Sequence, residues 1–204
     1  DAVLMAVDRA PAANALHVEA IGVATNRGAI VTDEGMRTNV PGVYAIGDVA
    51  AEGPMLAHVA SHQGMVAVED ALGRPARMDY TAVPNCIFTL PEAAGVGLTE
   101  EQARAAGHDV ITGTFALANN GKAVAYGDTE GFVKVIADRA NDAVLGVHVV
   151  GPHASDLILE GTMALTLEAT LDEIEATIHP HPTLGEAIAE AALAARGRVL
   201  HVPH

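Results

Sequence analysis

Two imidazoles and a carboxylate stand close together near the end of the 204-residue chain, in Ile178-His179-Pro180-His181-Pro182-Thr183-Leu184-Gly185-Glu186. Each histidine precedes a proline, which pushes its backbone out of the α region, while each proline ring fixes its own φ. Thr183, with Glu186 three residues on and the apolar run Ala187-Ile188-Ala189-Glu190-Ala191-Ala192-Leu193 after it, predicts a helix opened by a capping box. A neutral imidazole on a stiff corner, with a carboxylate in the first turn of the next helix to orient it, is equipped as a general base. The same residues admit a plainer reading, in which Glu186 only caps Thr183 and His181 only fills a turn. No metal is expected, because the His179–His181 pair offers two ligands and no third at a usable spacing. The tail His201-Val202-Pro203-His204 reads as a solvated end.

A second constellation lies near residue 48. The apolar run Val43-Tyr44-Ala45-Ile46 ends on Gly47-Asp48, where a carboxylate can accept from ligand hydroxyls and a glycine admits a close approach to backbone. A turn-forming Gly-Asp accounts for it equally well. Gly53-Pro54-Met55-Leu56-Ala57-His58 then leads into a helical pattern, whose first amides can face an anion.

The elements that must position these groups change character at Gly73-Arg74-Pro75. Before it, the pattern predicts a buried strand at 2–7, a helix-like turn at 16–22 and a short strand within 28–35. A turn at Thr38-Asn39-Val40-Pro41-Gly42, a strand at 43–46 and a helix within 54–72 follow. After it, strands are predicted at 84–90, 109–117, 131–138 and 144–150, the last two as an antiparallel hairpin. Helices are predicted at 99–106, 154–168, 171–176 and from Thr183. Strands in succession followed by helices indicate an α+β fold, with helices packed on an antiparallel sheet.

Composition narrows the function. Half the residues are apolar, but aromatics are limited to three Phe and three Tyr, so the core is aliphatic and rich in alanine. A net charge of −15 argues against nucleic acid or an anionic membrane surface as partner. No apolar run approaches the ~20 residues that span a bilayer. The opening Ala2–Val7 run lacks the basic flank and length of a secretory leader. Cys86 is the single cysteine, so an internal disulfide and a cysteine zinc cage are ruled out; its apolar surroundings suggest a buried structural thiol and a reducing, cytoplasmic setting. An apolar run beginning directly at Asp1 suggests a chain cut from something larger.

His179-Pro180-His181-Pro182-Thr183-Leu184-Gly185-Glu186-Ala187 resembles the C-terminal signature H-x-H-P-T-L-S-E-A of the dihydrolipoamide dehydrogenase branch of the flavoprotein disulfide reductases, with Gly185 in place of the usual serine. Thr38–Asp48 resembles the second flavin motif of that family, T-x-x-P-x-[IV]-[YF]-A-x-G-D, and Gly53–His58 its G-P-M-L-A-H segment. Phe88–Glu100, Gly131–Ile136 and Leu145–Pro152 are similar to its dimerisation domain, in the same order. The resemblance implies the end of an NAD-binding domain at 1–27, the closing segment of an FAD-binding domain at 28–75, and a dimerisation domain at 76–204. That last domain would be an α+β unit, preceded by remnants of the two α/β domains.

It further implies His181 and Glu186 as the catalytic pair, with His181 serving the redox disulfide of the other subunit of a homodimer. His179 would pack or support, since both histidines cannot share one carboxylate. Asp48, Met55, Leu56, Ala57 and His58 would form part of an FAD site. The G-x-G-x-x-G turns and the C-x-x-x-x-C pair are not in this chain, so the FAD site is partial, the NAD site largely missing, and the chain inactive by itself. Asp8 stands where the family has a glycine that contacts NAD. The parent activity implied is oxidation of dihydrolipoamide on lipoyl domains of 2-oxo acid dehydrogenase complexes. A related disulfide reductase and a stand-alone dimerisation module are the alternatives. Relatives also imply a cis His181–Pro182 bond.

Overall fold

Small side chains set the architecture around the His179–Glu186 corner, because they let helices lie directly on a sheet. The computed structural model describes residues 2–7 and 9–202 and divides the chain into two units, 1–80 and 81–204.

The second unit holds a five-stranded antiparallel sheet. Its strands are β3 (Asn85–Ile87), β4 (Glu92–Gly97), β5 (Val110–Ala116), β6 (Phe132–Asp138) and β7 (Val144–Gly151), in the order β3-β4-β7-β6-β5. This is the α+β unit expected, with β6 and β7 forming the predicted antiparallel pair. Register aligns Val96, Val147, Val135 and Gly113 in one row across four strands, and Ala94, Val149, Val133 and Phe115 in the next. All but Gly113 join one buried cluster. Fully burying a Val or Phe here contributes roughly 1.5–3 kcal/mol relative to leaving it exposed.

Helices α4 (Ala154–Thr166) and α6 (Glu186–Ala195) cover the sheet, α4 over β4 and β7, α6 over β5 and β6. Helix α4 turns Ala154, Ile158, Gly161 and Ala164 inward, a 3.6-residue stripe. Gly161 is required there, since a Cβ would stand 2.7 Å from the Val147 side chain. Helix α6 buries Ala187, Ile188, Ala191 and Ala192. Between them α5 (Leu171–Ala176) is opened by a full capping box of Thr170 and Glu173 and buries Leu171 and Ile174. Thr99 opens α2 (Glu100–Ala105), within the range predicted for this helix, with Gln102 completing the box, and Gly107 follows at positive φ.

Two elements escape the sequence pattern. Strand β4 reads Glu-Ala-Ala-Gly-Val-Gly, poor in the β-branched residues that mark strands. Its small residues answer to neighbours: a Cβ at Gly95 would meet the His148 ring at 2.6 Å. Helix α3 (Gly121–Tyr126) is too short for a periodic signature and depends on Asn120, whose side chain caps Lys122 and Ala123.

The first unit has less regular structure than predicted. Residues 2–7 form no strand: Val3 and Leu4 are 96% and 88% exposed, and no described segment pairs with them. An apolar run becomes a strand only when a neighbour satisfies its backbone N–H and C=O groups. The 28–35 strand contracts to the two-residue pair β1 (Thr25–Asn26) and β2 (Ala29–Ile30), because Asp33 Oδ1 takes the N–H of Gly35 and Arg37 into a turn. Residues 43–46 supply one bridge, Tyr44 to Arg37, in place of a strand. Two short 3₁₀ turns, Ala13–Leu16 and Val18–Ile21, stand for the helix-like turn at 16–22. The predicted helix is α1 (Ala57–Ala71). Its Asp70 accepts from the Arg37 guanidinium and from Tyr44 Oη at 2.8 Å, and these two donors hold its carboxyl below the usual range. Asp8 lies outside the described residues.

Candidate active site

The corner 177–185 links α5 to α6 and is tied at both ends. Leu184 is buried and seats it in the core. Asn120, itself buried, donates from Nδ2 to Thr183 O at 3.0 Å. The Thr183 hydroxyl turns back to Pro180 O at 2.7 Å, and the His181–Pro182 peptide is cis.

Glu186 does both jobs that the sequence left open. Its Oε1 lies 2.8 Å from His181 Nδ1, and its Oε2 accepts from Thr183 N–H at 2.8 Å. The expected capping box is therefore only half made. The Thr183 hydroxyl is spent on Pro180 O, and Gly185 takes the N-cap position with no side-chain bond. With Nδ1–H donated to a carboxylate, Nε2 of a neutral ring keeps its lone pair. Nε2 has no hydrogen-bond partner among the described residues, and the ring is 74% exposed. The arrangement presents a proton acceptor outward from the unit.

Burial pushes the Glu186 carboxyl up. The Thr183 N–H, the His181 ring, and the charges of His181 and His201 together outweigh it, leaving the group below its ordinary value. A carboxyl depressed in the folded state stabilises above its unfolded pKa and loses that contribution as pH falls through the folded value. Glu186→Gln is therefore expected to cost more stability at neutral pH than in strongly acid solution, measured by denaturant unfolding at both. A cost independent of pH would contradict the linkage.

His179 has its own carboxylate. Its ring is 9% exposed, with Nδ1 2.9 Å from Thr177 O and Nε2 2.7 Å from Glu160 Oε1 on α4. The supporting role expected for His179 fits this geometry, but nothing local in the sequence pointed to Glu160, nineteen residues earlier. Of the tail expected to be a solvated end, Pro203 and His204 lie outside the described residues and the His201 side chain is exposed, but the start of the tail is anchored. Glu190, 5% exposed on α6, accepts from the N–H groups of Leu200 and His201 and lies 2.6 Å from His201 Nδ1, so residues 200–201 are tied down. A buried carboxylate must recruit such donors, and the backbone of the tail provides them. Cys86 is half-buried against the main core, and burial, then the charges of Glu92 and Asp156, push its thiol up.

Gly185 is a position where a side chain fits. Its φ of −59° is helical, and a Cβ would stand 3.8 Å or more from its neighbours. Gly185→Ala is expected to stabilise by about 0.4–1 kcal/mol through the unfolded chain, read as a raised denaturation midpoint. A lowered midpoint would show that the corner needs the glycine.

In the first unit, Gly47 at φ 71° turns the chain into a 3₁₀ turn, Gly47–Val49, that carries Asp48. Buried Gln63 of α1 clamps this turn, accepting from Gly47 N–H at 2.6 Å and donating to Glu52 O at 3.2 Å. Asp48 Oδ2 lies 3.3 Å from Arg9 Nη1, which also reaches Met55 O. Met55 and Leu56 are half-buried, and Ala57 and His58 are exposed at the start of α1, whose N-cap, Leu56, supplies no side-chain bond. The site residues expected at 48 and 55–58 thus come together: an accepting carboxylate beside a fifteen-residue helix whose first amides lack a side-chain cap. No group of three or more His, Cys, Asp or Glu side chains among the described residues is placed to hold a metal ion.

Residues 83–192 match the family Pyridine nucleotide-disulphide oxidoreductase, dimerisation domain, and residues 1–64 match Pyridine nucleotide-disulphide oxidoreductase. The chain belongs to the pyridine nucleotide-disulphide oxidoreductases and contains their dimerisation domain. Among curated relatives, dihydrolipoyl dehydrogenase of Bacillus subtilis is 49% identical over 97% of this chain, and that of Thermus scotoductus 48% identical over 99%. The chain spans 42% and 44% of their lengths. Among solved structures, LpdA from Mycobacterium tuberculosis is similar with a TM-score of 0.85 and 33% identity, covering 93% of this chain and 41% of its own. The flavoprotein disulfide reductase RclA from Escherichia coli gives 0.85 at 29% identity, covering 92% and 43%.

Proposed function

We propose that the protein to which this chain belongs is a dihydrolipoamide dehydrogenase, and that His181 is the base of its dithiol half-reaction. The observation that carries this reading is the outward Nε2 of a ring held through Nδ1 by Glu186. A thiol with a pKa near ~8.5 is mostly protonated at neutral pH, so attack on a disulfide needs a proton acceptor. His181 takes the S–H proton of dihydrolipoamide. The thiolate then attacks one sulfur of the enzyme disulfide, forming a mixed disulfide and releasing the other sulfur as a cysteine thiolate. Glu186 stabilises the imidazolium so formed and keeps the ring in one tautomer.

Residues 48 and 55–58 fit a flavin. Asp48 would accept from the ribityl hydroxyls, and the amides opening α1 would face an electron-rich ring. FAD, when bound, supplies the acceptor for the two electrons released, with NAD as their destination. For the pairing of subunits we look to the outer face of α4, where Leu159, Met163 and Leu167 stand exposed at a spacing of four beside a pocket lined by Ile174 and Thr177. The family's dimerisation domain makes a second copy the natural occupant, and His181 then serves that copy. Lipoyl domains are the substrate carriers on this reading, and a free thiol at Cys86 suits a reducing cytoplasm.

The test is the rate of dihydrolipoamide oxidation in the complete protein with His181 replaced. This chain by itself is expected to show none.

A further inference from the structure

His179 is better placed than its sequence role required. Its nearly buried ring touches both ends of the corner that carries His181. Nδ1 meets Thr177 O at the entry, and Cδ2 lies 3.9 Å from where a Cβ on Gly185 would stand at the exit. Nε2 reaches across to Glu160 Oε1 at 2.7 Å, joining the corner to α4. Both ring nitrogens are thus engaged within the fold, one by the backbone and one by a carboxylate. Glu160 follows the exposed Leu159 directly and stands one turn before the exposed Met163 of α4, so the helix that offers the pairing face also anchors the corner.

We propose that Glu160 and His179 form a positioning pair that aims His181, through the His179 ring braced inside the corner. This rests on His181 being the base. Apart from Glu186 and the bonds that Thr177, Leu184 and Gly185 make into the flanking helices, the bonds fixing the corner run to Asn120 and to Glu160, and the Glu160 bond is the one that holds the stretch between Thr177 and His181. Releasing it frees residues 178–181 to shift, and a misplacement of about 1 Å at a reacting group can cost on the order of a hundredfold in rate.

The experiment compares Glu160→Ala, Glu160→Gln and His179→Phe in the complete flavin-loaded protein, reading kcat and KM for dihydrolipoamide, flavin content and Tm. Glu160→Ala and His179→Phe are expected to lower kcat by about tenfold to a hundredfold, with KM and flavin content unchanged. Glu160→Gln, which keeps an oxygen to accept from Nε2–H, should restore most of the rate. The double variant should fall no further than the worse single, because the two act as a unit. A Glu160→Ala protein with a lowered Tm and wild-type kcat would overturn the proposal and leave a merely structural bond. His181→Gln in the same series separates the two ideas. If it keeps wild-type kcat, the base assignment fails; if it abolishes turnover while Glu160→Ala does not change it, only the positioning pair fails.

Discussion

Replacing His181 with glutamine in the complete protein is expected to slow dihydrolipoamide oxidation by about 10²–10⁴-fold, the usual contribution of a positioned general base. Glutamine can keep a bond to Glu186 but has no group that accepts a proton near neutral pH. The loss should fall on the dithiol half-reaction alone, because the ring is 74% exposed and bonded only to Glu186 among the described residues, and the residues fitted to the flavin are others. Flavin content and Tm are expected to stay near wild-type values: the His181 ring is 74% exposed, and an ion pair made by so exposed a side chain contributes little to stability. Raising pH should partly rescue the variant, since a dithiol that ionises in solution needs no base. A rate within tenfold of wild type at neutral pH would remove His181 from the chemistry.

Gly113→Ala should have a large effect on stability. Gly113 lies in the row with Val135, Val147 and Val96, under α6. A Cβ there would land on the Ala191 carbonyl oxygen and the Ala195 nitrogen. These are backbone atoms of a regular helix and cannot rotate away, so α6 must lift off β5. Forced overpacking of this kind costs about 1–3 kcal/mol, and more where backbone must move. The upper end corresponds to a Tm fall of roughly 10 °C for a unit of this size. Because Glu186 opens α6, the same substitution should also misplace the carboxylate and lower turnover. Thermal unfolding with kinetics separates this variant from His181→Gln, which is expected to lose rate without losing Tm. A Gly113→Ala protein with unchanged Tm would contradict the packing of α6 on β5.

The corner was legible because its signals are local. Proline restricts the residue before it, and Thr183 and Glu186 lie within one turn, so type and spacing offered a His181–Glu186 pair beside the plainer reading of a cap and a turn, and the family resemblance implied the pair. What remained open was whether Glu186 orients the ring or only caps the turn, and in the fold one oxygen takes the ring and the other the Thr183 N–H. The predicted helices and hairpin also carry their pattern within a few residues. The partners that matter at a distance left no such trace. Glu160 meets His179, and Asn120 meets Thr183, only because α4 and α3 are brought to the corner by the sheet. Strand β4 was hidden by the small residues that its neighbours demand. The run at 2–7 looked like a strand by composition, yet apolar content does not supply a pairing partner.

Hybrid dimers give the most direct measurement. One differently tagged subunit of the complete protein would carry His181→Gln and the other a replaced redox cysteine, each inactive as a homodimer, with the mixed species purified by both tags. If His181 serves the disulfide of the facing subunit, every hybrid holds one intact site and dihydrolipoamide oxidation returns. A hybrid as inactive as its parents would show that the ring works within its own subunit, or on no disulfide at all.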